Sequence, residues 1–351
     1  MHMADALISP AVGGAMWAAT AGLTVYSAKK LKDNLDDSRT PLMGVLGAFI
    51  FAAQMINFTI PATGSSGHLG GGMILAILLG PYAAFITMAS VLTVQALFFA
   101  DGGLLALGCN IFNLGFFSCF IAYPIIYKRI AGERPTHRRI LVGAIVASIL
   151  GLQMGAFGVV LETLFSGISE LPLGTFLLLM QPIHLAIGIV EGLVTAAVVT
   201  FIWKARPEIL DMVSTARPIG HMIFGKVIVV FLVLAAITGG MLSWFASGQP
   251  DGLEWSMLHT SGKEKLEPAE NGLHSFFAKL QEKTAFLPDY GFMKAETDKH
   301  SEHETAAAPE KKESWPAVSA GTSVSGLVGG TMAMGLAGFI GFALRKRHGQ
   351  K

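Results

Sequence analysis

Two histidines stand where metal chemistry is within reach. His2 is the second residue of the chain, and His68 sits in Thr63-Gly64-Ser65-Ser66-Gly67-His68-Leu69-Gly70-Gly71-Gly72. A terminal amine followed by histidine is a chelator. The Met1 amine and the deprotonated His2 amide close a five-membered ring on a metal, and that amide with a His2 ring nitrogen closes a six-membered one. Three nitrogens then lie in a plane, and one more imidazole completes a square. Square-planar nitrogen coordination suits Ni(II) or Cu(II) and fits Zn, Mg or Mn poorly. The glycines flanking His68 let backbone approach an ion closely. On the residues alone the alternative stays open that His2 is accidental and His68 a solvated loop residue.

Few other polar residues interrupt the apolar sequence. Gln54 and Asn57 close one apolar run, Gln95 and Asp101 close another, and Asn110, Asn113, His184 and Glu191 lie within others. Such groups read as interhelical hydrogen-bond partners or as supports for metal ligands, with an ion pathway as the rival reading. His184 and Glu191, on one helical face, have the further option of a buried pair. Asp5 is placed to orient the N-terminal segment. Cys109 and Cys119 read as buried small hydrophobes. His259, His274, His300 and His303, interspersed with acids, read as solvated.

The elements that position these residues follow from composition. Charged residues make up 14% of the 351, against about 25% in an ordinary soluble domain. Residues 40–203 hold only ten Asp, Glu, Lys or Arg in 164 positions, so this is an all-α polytopic membrane protein. A net charge of +1 gives no basis for nucleic-acid binding. Apolar runs long enough to span a bilayer lie near 8–28, 42–60, 104–127, 140–161, 183–203, 224–246 and 318–344. The run 69–100, broken at Gly80-Pro81, supplies two more, at 70–80 and 82–100.

Charge orients them. Linkers 29–39, 128–139, 204–226 and 345–351 hold 17 of the 25 basic residues and are expected on the cytoplasmic side. Nine crossings satisfy this, with the N-terminus outside and the C-terminus inside. The first residues lack a basic n-region, so no cleaved signal peptide is expected. A boundary at about 205–222 separates a seven-helix domain, 1–215, from a two-helix hairpin, 216–351. The hairpin carries a long extracytoplasmic loop, about 247–316, whose stretch 295–314 has the composition of disordered chain. Small residues every fourth place, Ala11/Ala15/Ala19 and Gly329/Ala333/Ala337/Gly341, mark close helix contacts.

Met1-His2-Met3-Ala4-Asp5-Ala6-Leu7-Ile8-Ser9-Pro10, the stretch from Pro41 to Met55, Ser66-Gly67-His68-Leu69, and Asp101-Gly102-Gly103-Leu104-Leu105-Ala106-Leu107-Gly108 resemble the substrate-binding membrane component of nickel/cobalt energy-coupling-factor ABC transporters. The resemblance covers roughly residues 1–215. Residues 220–351 resemble the small accessory component of the same systems, fused in frame, with Asp251-Gly252-Leu253-Glu254-Trp255-Ser256 the specific part. The resemblance implies metal ligation by the N-terminal amine, the second-position His and the loop His, here Met1, His2 and His68. It implies Ni2+ as transported substrate, with Co2+ uptake as the alternative, and no organic cofactor. The start Met-His-Met-Ala-Asp-Ala resembles the nickel members, whereas cobalt members more often begin Met-His-Ile-Pro-Asp-Gly. A transmembrane coupling component, docked on the first-helix ridge, separate ABC ATPase subunits and the lipid of a bacterial or archaeal cytoplasmic membrane are the implied partners. The chain has no Gly-x-x-x-x-Gly-Lys-Ser/Thr segment to hydrolyse ATP itself. No nucleophile–base pair suggests an enzyme, and ionisable residues are sparse for an autonomous carrier or channel.

Overall fold

Long apolar sequence forms helices wherever glycine, proline or a polar turn does not stop it. A computed structural model of the chain describes residues 2–34, 39–133, 135–169, 171–215, 225–263, 266, 272–293 and 315–344. In chain order the helices are α1 (Pro10–Asn34), α2 (Arg39–Gln54), α3 (Gly72–Leu79), α4 (Pro81–Phe99), α5 (Leu107–Ala131), α6 (His137–Ser166), α7 (Leu173–Ala205), α8 (Pro207–Thr215), α9 (Gly225–Gly240), α10 (Gly252–Ser261), α11 (Leu273–Thr284) and α12 (Ala320–Leu344). Strands β1 (Phe58–Ile60) and β2 (Ser65–Gly67) form an antiparallel hairpin between α2 and α3. Helices α1–α7, α9 and α12 fall on the nine expected apolar segments. Five of them, α4, α5, α6, α7 and α12, are long and apolar enough to cross a membrane alone.

Several boundaries differ from the sequence expectation. The run 42–60 is not one helix: α2 stops at Gln54, and Phe58–Ile60 pairs with Ser65–Gly67. Apolar content fits strand and helix equally, and the Pro61–Gly64 turn decides. Helix α7 begins ten residues before the expected 183 and runs through Pro182, beside which Gln153 Nε2 donates to the Gln181 carbonyl at 2.8 Å. Most of α5, Phe112–Tyr127, is wound as π-helix. The Gly80-Pro81 break is as expected: Gly80 adopts φ 81°, and α3 is an eight-residue helix buried throughout. The polar loop is not one structureless stretch, since α10 and α11 are built from it. The run 295–314 lies outside the described residues.

Helix α2 is the spine, buried along nearly its whole length. The α12 ridge packs on it: Gly329, Ala333, Ala337 and Gly341 are all buried, and a Cβ at Gly329 would lie 2.0 Å from Phe51 Cζ. Helices α9 and α12 touch backbone to backbone, a Cβ at Gly326 falling 2.3 Å from the Gly239 carbonyl oxygen. The α1 ridge is different, because Ala11, Ala15 and Ala19 are exposed. Gly326→Leu is therefore expected to cost about 3 kcal/mol and lower the thermal transition. Gly335→Leu, where an added Cβ meets nothing, should leave it unchanged. Equal transitions for the two variants would contradict this packing.

Candidate metal centre

The centre is assembled from irregular backbone at one end of the bundle. Helix α4 ends with Ala100 at φ 55°, followed by Gly102 at φ 81°, which folds Asp101 back toward the chain's beginning. The glycines admit the N-terminal segment: a Cβ at Gly102 would meet His2 Cβ at 3.3 Å, and one at Gly103 would collide with Asp5. Asn110 clamps Met3 from both sides, its Oδ1 accepting the Met3 N–H at 2.7 Å and its Nδ2 donating to the Met3 carbonyl at 3.2 Å. Gly103 N–H donates to the same carbonyl at 2.9 Å. Asp5 accepts the Ala106 N–H at 2.9 Å, tying the N-terminal segment to the turn before α5. Met1 lies outside the described residues.

The two expected ligand histidines meet. Their rings stack, parallel within 5° with centroids 5.0 Å apart. His2 Nδ1 lies 3.0 Å from Asp101 Oδ1, so Asp101 contacts the His2 ring directly. The Tyr290 hydroxyl donates to the other Asp101 oxygen. Burial pushes the Asp101 carboxyl up, but His2 and the Tyr290 hydroxyl outweigh it and hold the group well below the usual carboxylate range. His68 is 8% exposed, not a solvated loop residue. Its Nδ1–H donates to the Leu69 carbonyl at 3.1 Å, which places the lone pair on Nε2. Burial pushes its pKa down to about 3, so the ring stays neutral and ready for a cation.

Membrane helices hold the His68 loop by its backbone. Gln54 Nε2 donates to the Gly70 carbonyl at 2.8 Å, and Gln95 Nε2 donates to Gln54 Oε1 at 2.9 Å. Glu191 Oε2 accepts the Gly70 N–H at 2.9 Å. The optional His184–Glu191 pair is not formed: His184 Nδ1 instead donates to the Met180 carbonyl at 2.7 Å. Asn113 turns away to Glu162, at 2.7 Å. Asn57 serves through backbone, its carbonyl accepting the Ser247 N–H at 2.7 Å.

A cover over this end comes from 247–263 and 272–293. Ser66 N–H donates to the Pro250 carbonyl at 2.8 Å, extending β2 sideways, and Trp255 Nε1 donates to the Thr63 carbonyl at 2.9 Å. Asp251 caps α10 in a reciprocal box with Glu254. His274 Nε2 donates to the Ile8 carbonyl at 2.9 Å, so it is a buried strut and not the solvated residue expected. Together these enclose a cavity of about 500 Å³ lined by His2, His68, Asp101, Asp251 and Tyr290 among others. Sequence reasoning missed Asp251 and Tyr290 as lining groups. The Asp251-x-x-Glu254 spacing marks a helix start but not what it faces, and Tyr290 carried no signal.

Among the described residues no three His, Cys, Asp or Glu side chains converge as a metal cluster. The chain resembles known proteins along most of its length. The cobalt uptake substrate-specific transmembrane region matches residues 2–209, and the PDGLE domain matches residues 225–346. The fused nickel transport protein NikMN of Rhodobacter capsulatus is 31% identical over 315 residues, 83% of this chain and 88% of that protein. The cobalt transport protein CbiM of Sorangium cellulosum is 29% identical over 229 residues, 62% of this chain and 97% of that protein. A crystal structure of a truncated transition metal transporter aligns with a TM-score of 0.52 and 31% identity, covering 58% of this chain and 99% of its own.

A lowered folded-state pKa means that the unfolded chain binds the proton first. The contribution of His68 to stability is therefore complete above about pH 6.5 and is lost as pH falls toward 3. NMR of ring-labelled protein is expected to show His68 Nδ1-protonated and untitrated between pH 7.5 and 4.5. A midpoint near 6.5 would contradict its burial.

Proposed function

Because this chain belongs to the family of cobalt uptake substrate-specific transmembrane regions, with a PDGLE domain fused behind it, we propose that it is the nickel-capturing subunit of an energy-coupling-factor importer. In this reading Ni2+ arrives at the outer face of a bacterial or archaeal cytoplasmic membrane. It is held by the Met1 amine, the His2 amide, His2 Nδ1 and His68 Nε2. The observation that carries the reading is the meeting of the His2 and His68 rings over a clamped N-terminal backbone.

The clamp explains why the chelate has its size. The Met3 N–H is committed to Asn110, so amide coordination ends at His2, and the fourth planar position falls to an imidazole from elsewhere. Asp101 occupies the His2 Nδ1 hydrogen bond. A metal taking that nitrogen would have to displace this hydrogen bond and its proton, so Asp101 holds the ring in place until the ion arrives. Residues 1–215 form the metal-binding domain in this reading, and 216–351 the accessory domain that covers it. Nickel is favoured over cobalt by the start Met1-His2-Met3-Ala4-Asp5-Ala6, although the family's description names cobalt uptake. ATP hydrolysis falls to separate subunits. The exposed Ala11/Ala15/Ala19 face of α1 is offered to a transmembrane coupling component, and expressed alone the chain binds nickel without concentrating it.

The test is on the position of the amine. Acetylating it, or adding an N-terminal tag, is expected to raise the nickel Kd by more than the roughly 10–100-fold typical of losing an outer-shell partner, with helix content unchanged. His68→Ala should weaken binding while keeping the three-nitrogen chelate. One alanine inserted after Met1 gives amine, two amides and an imidazole, four planar nitrogens that need no His68. Nickel then stays bound while uptake is lost. A tagged protein that binds nickel as tightly as the native one would rule the site out.

A further inference from the structure

His184 is not used by the chelate, yet it is built like a ligand. It is 1% exposed, and its Nδ1–H is pinned on the Met180 carbonyl. A carbonyl only accepts, so the lone pair is on Nε2, which is buried with no hydrogen-bond partner among the described residues. Histidines that ligate metals are commonly held this way, with the far ring nitrogen donating to a backbone carbonyl. His68 has the same arrangement through Leu69.

The two rings line one small void of about 10 Å³, together with Asp251 and Gly252 and closed by aliphatic side chains from α5, α6 and α7. Gly252 leaves the room: a Cβ there would sit 3.2 Å from His184 Cε1. His68 and Asp251 line this void and the large cavity alike, so the two spaces share one imidazole wall and one carboxylate. The large cavity is walled mainly by loops and the cover, whereas Leu114, Leu152 and Ile187 of the small one belong to helix interiors.

We propose that His68 Nε2 and His184 Nε2 form a second, inner station for the transition-metal ion, which receives it from the planar chelate through the shared His68. The inference rests on the nickel-capture reading above. Two imidazoles hold such an ion more weakly than a chelate, as a position the ion must leave requires. Asp251 supplies the counter-charge at both stations, and the dry aliphatic walls exclude bulk water.

The test uses the full chain in nanodiscs with Cu2+ as probe, a cation of the same planar preference. In an N-acetylated His2→Ala background the outer chelate is gone. Pulsed EPR should then show one copper coupled to two imidazoles, falling to one on adding His184→Gln. In the native-start protein, His184→Gln should leave equilibrium Ni2+ affinity within about threefold, yet cut uptake with the partner subunits by about tenfold or more. Absence of the two-imidazole signal, its survival in His184→Gln, or unchanged uptake overturns the station. Should His184→Gln lower the thermal transition, His184→Asn is read in its place. Tight nickel binding by acetylated protein with His2 intact would instead refute the outer chelate, and the copper signal would then decide the inner station alone.

Discussion

Backbone that is neither helix nor sheet, buried between membrane helices, must have its N–H and C=O groups answered by side chains. The candidate metal centre consists almost wholly of such backbone, and the polar residues of the bundle are distributed accordingly. Asn110 answers Met3, Gln54 answers the Gly70 carbonyl, and Glu191 answers the Gly70 N–H. Gln95 in turn fixes Gln54. None of these side chains needs to touch the ion to matter. Losing any one leaves a buried polar group unsatisfied, at about 1–3 kcal/mol, and frees the loop or terminus that carries a ligand. The eight-residue length of α3 belongs to the same constraint, because the residues that precede Gly72 are given over to the His68 loop.

The hairpin α9–α12 is bound to this arrangement at both ends. Within the membrane its glycines seat it on α2, the helix that ends in Gln54. Beyond the helices, residues 247–263 and 272–293 hydrogen-bond to β2 and to the N-terminal segment. The cover is thereby tied to the strand leading into His68.

The nine helical segments were legible because apolar length and basic linkers are strong signals, and the Gly80-Pro81 break divided the one ambiguous run. His2 and His68 stood out as a possible chelate, but the residues alone left both readings open, and it was the family resemblance that paired them. The polar side chains near helix ends were recognised as supports, but their partners were not. Which carbonyl Gln54 meets depends on the β1–β2 hairpin, and that hairpin was hidden in a run equally consistent with helix. His184 and Glu191 share a helical face, which suggested a pair, yet each found backbone closer than the other. The cover was least legible: its polar composition reads as solvated loop, and only the Asp251–Glu254 capping box marked order there.

The central claim is that the ion is held in a plane of four nitrogens, two of them from the N-terminal backbone. X-ray absorption at the nickel K-edge of nickel-loaded, untagged protein addresses it directly. The account predicts a square-planar edge feature, a first shell of four nitrogens with two imidazole outer shells, and a diamagnetic ion. A paramagnetic six-coordinate centre with a largely oxygen first shell would contradict it.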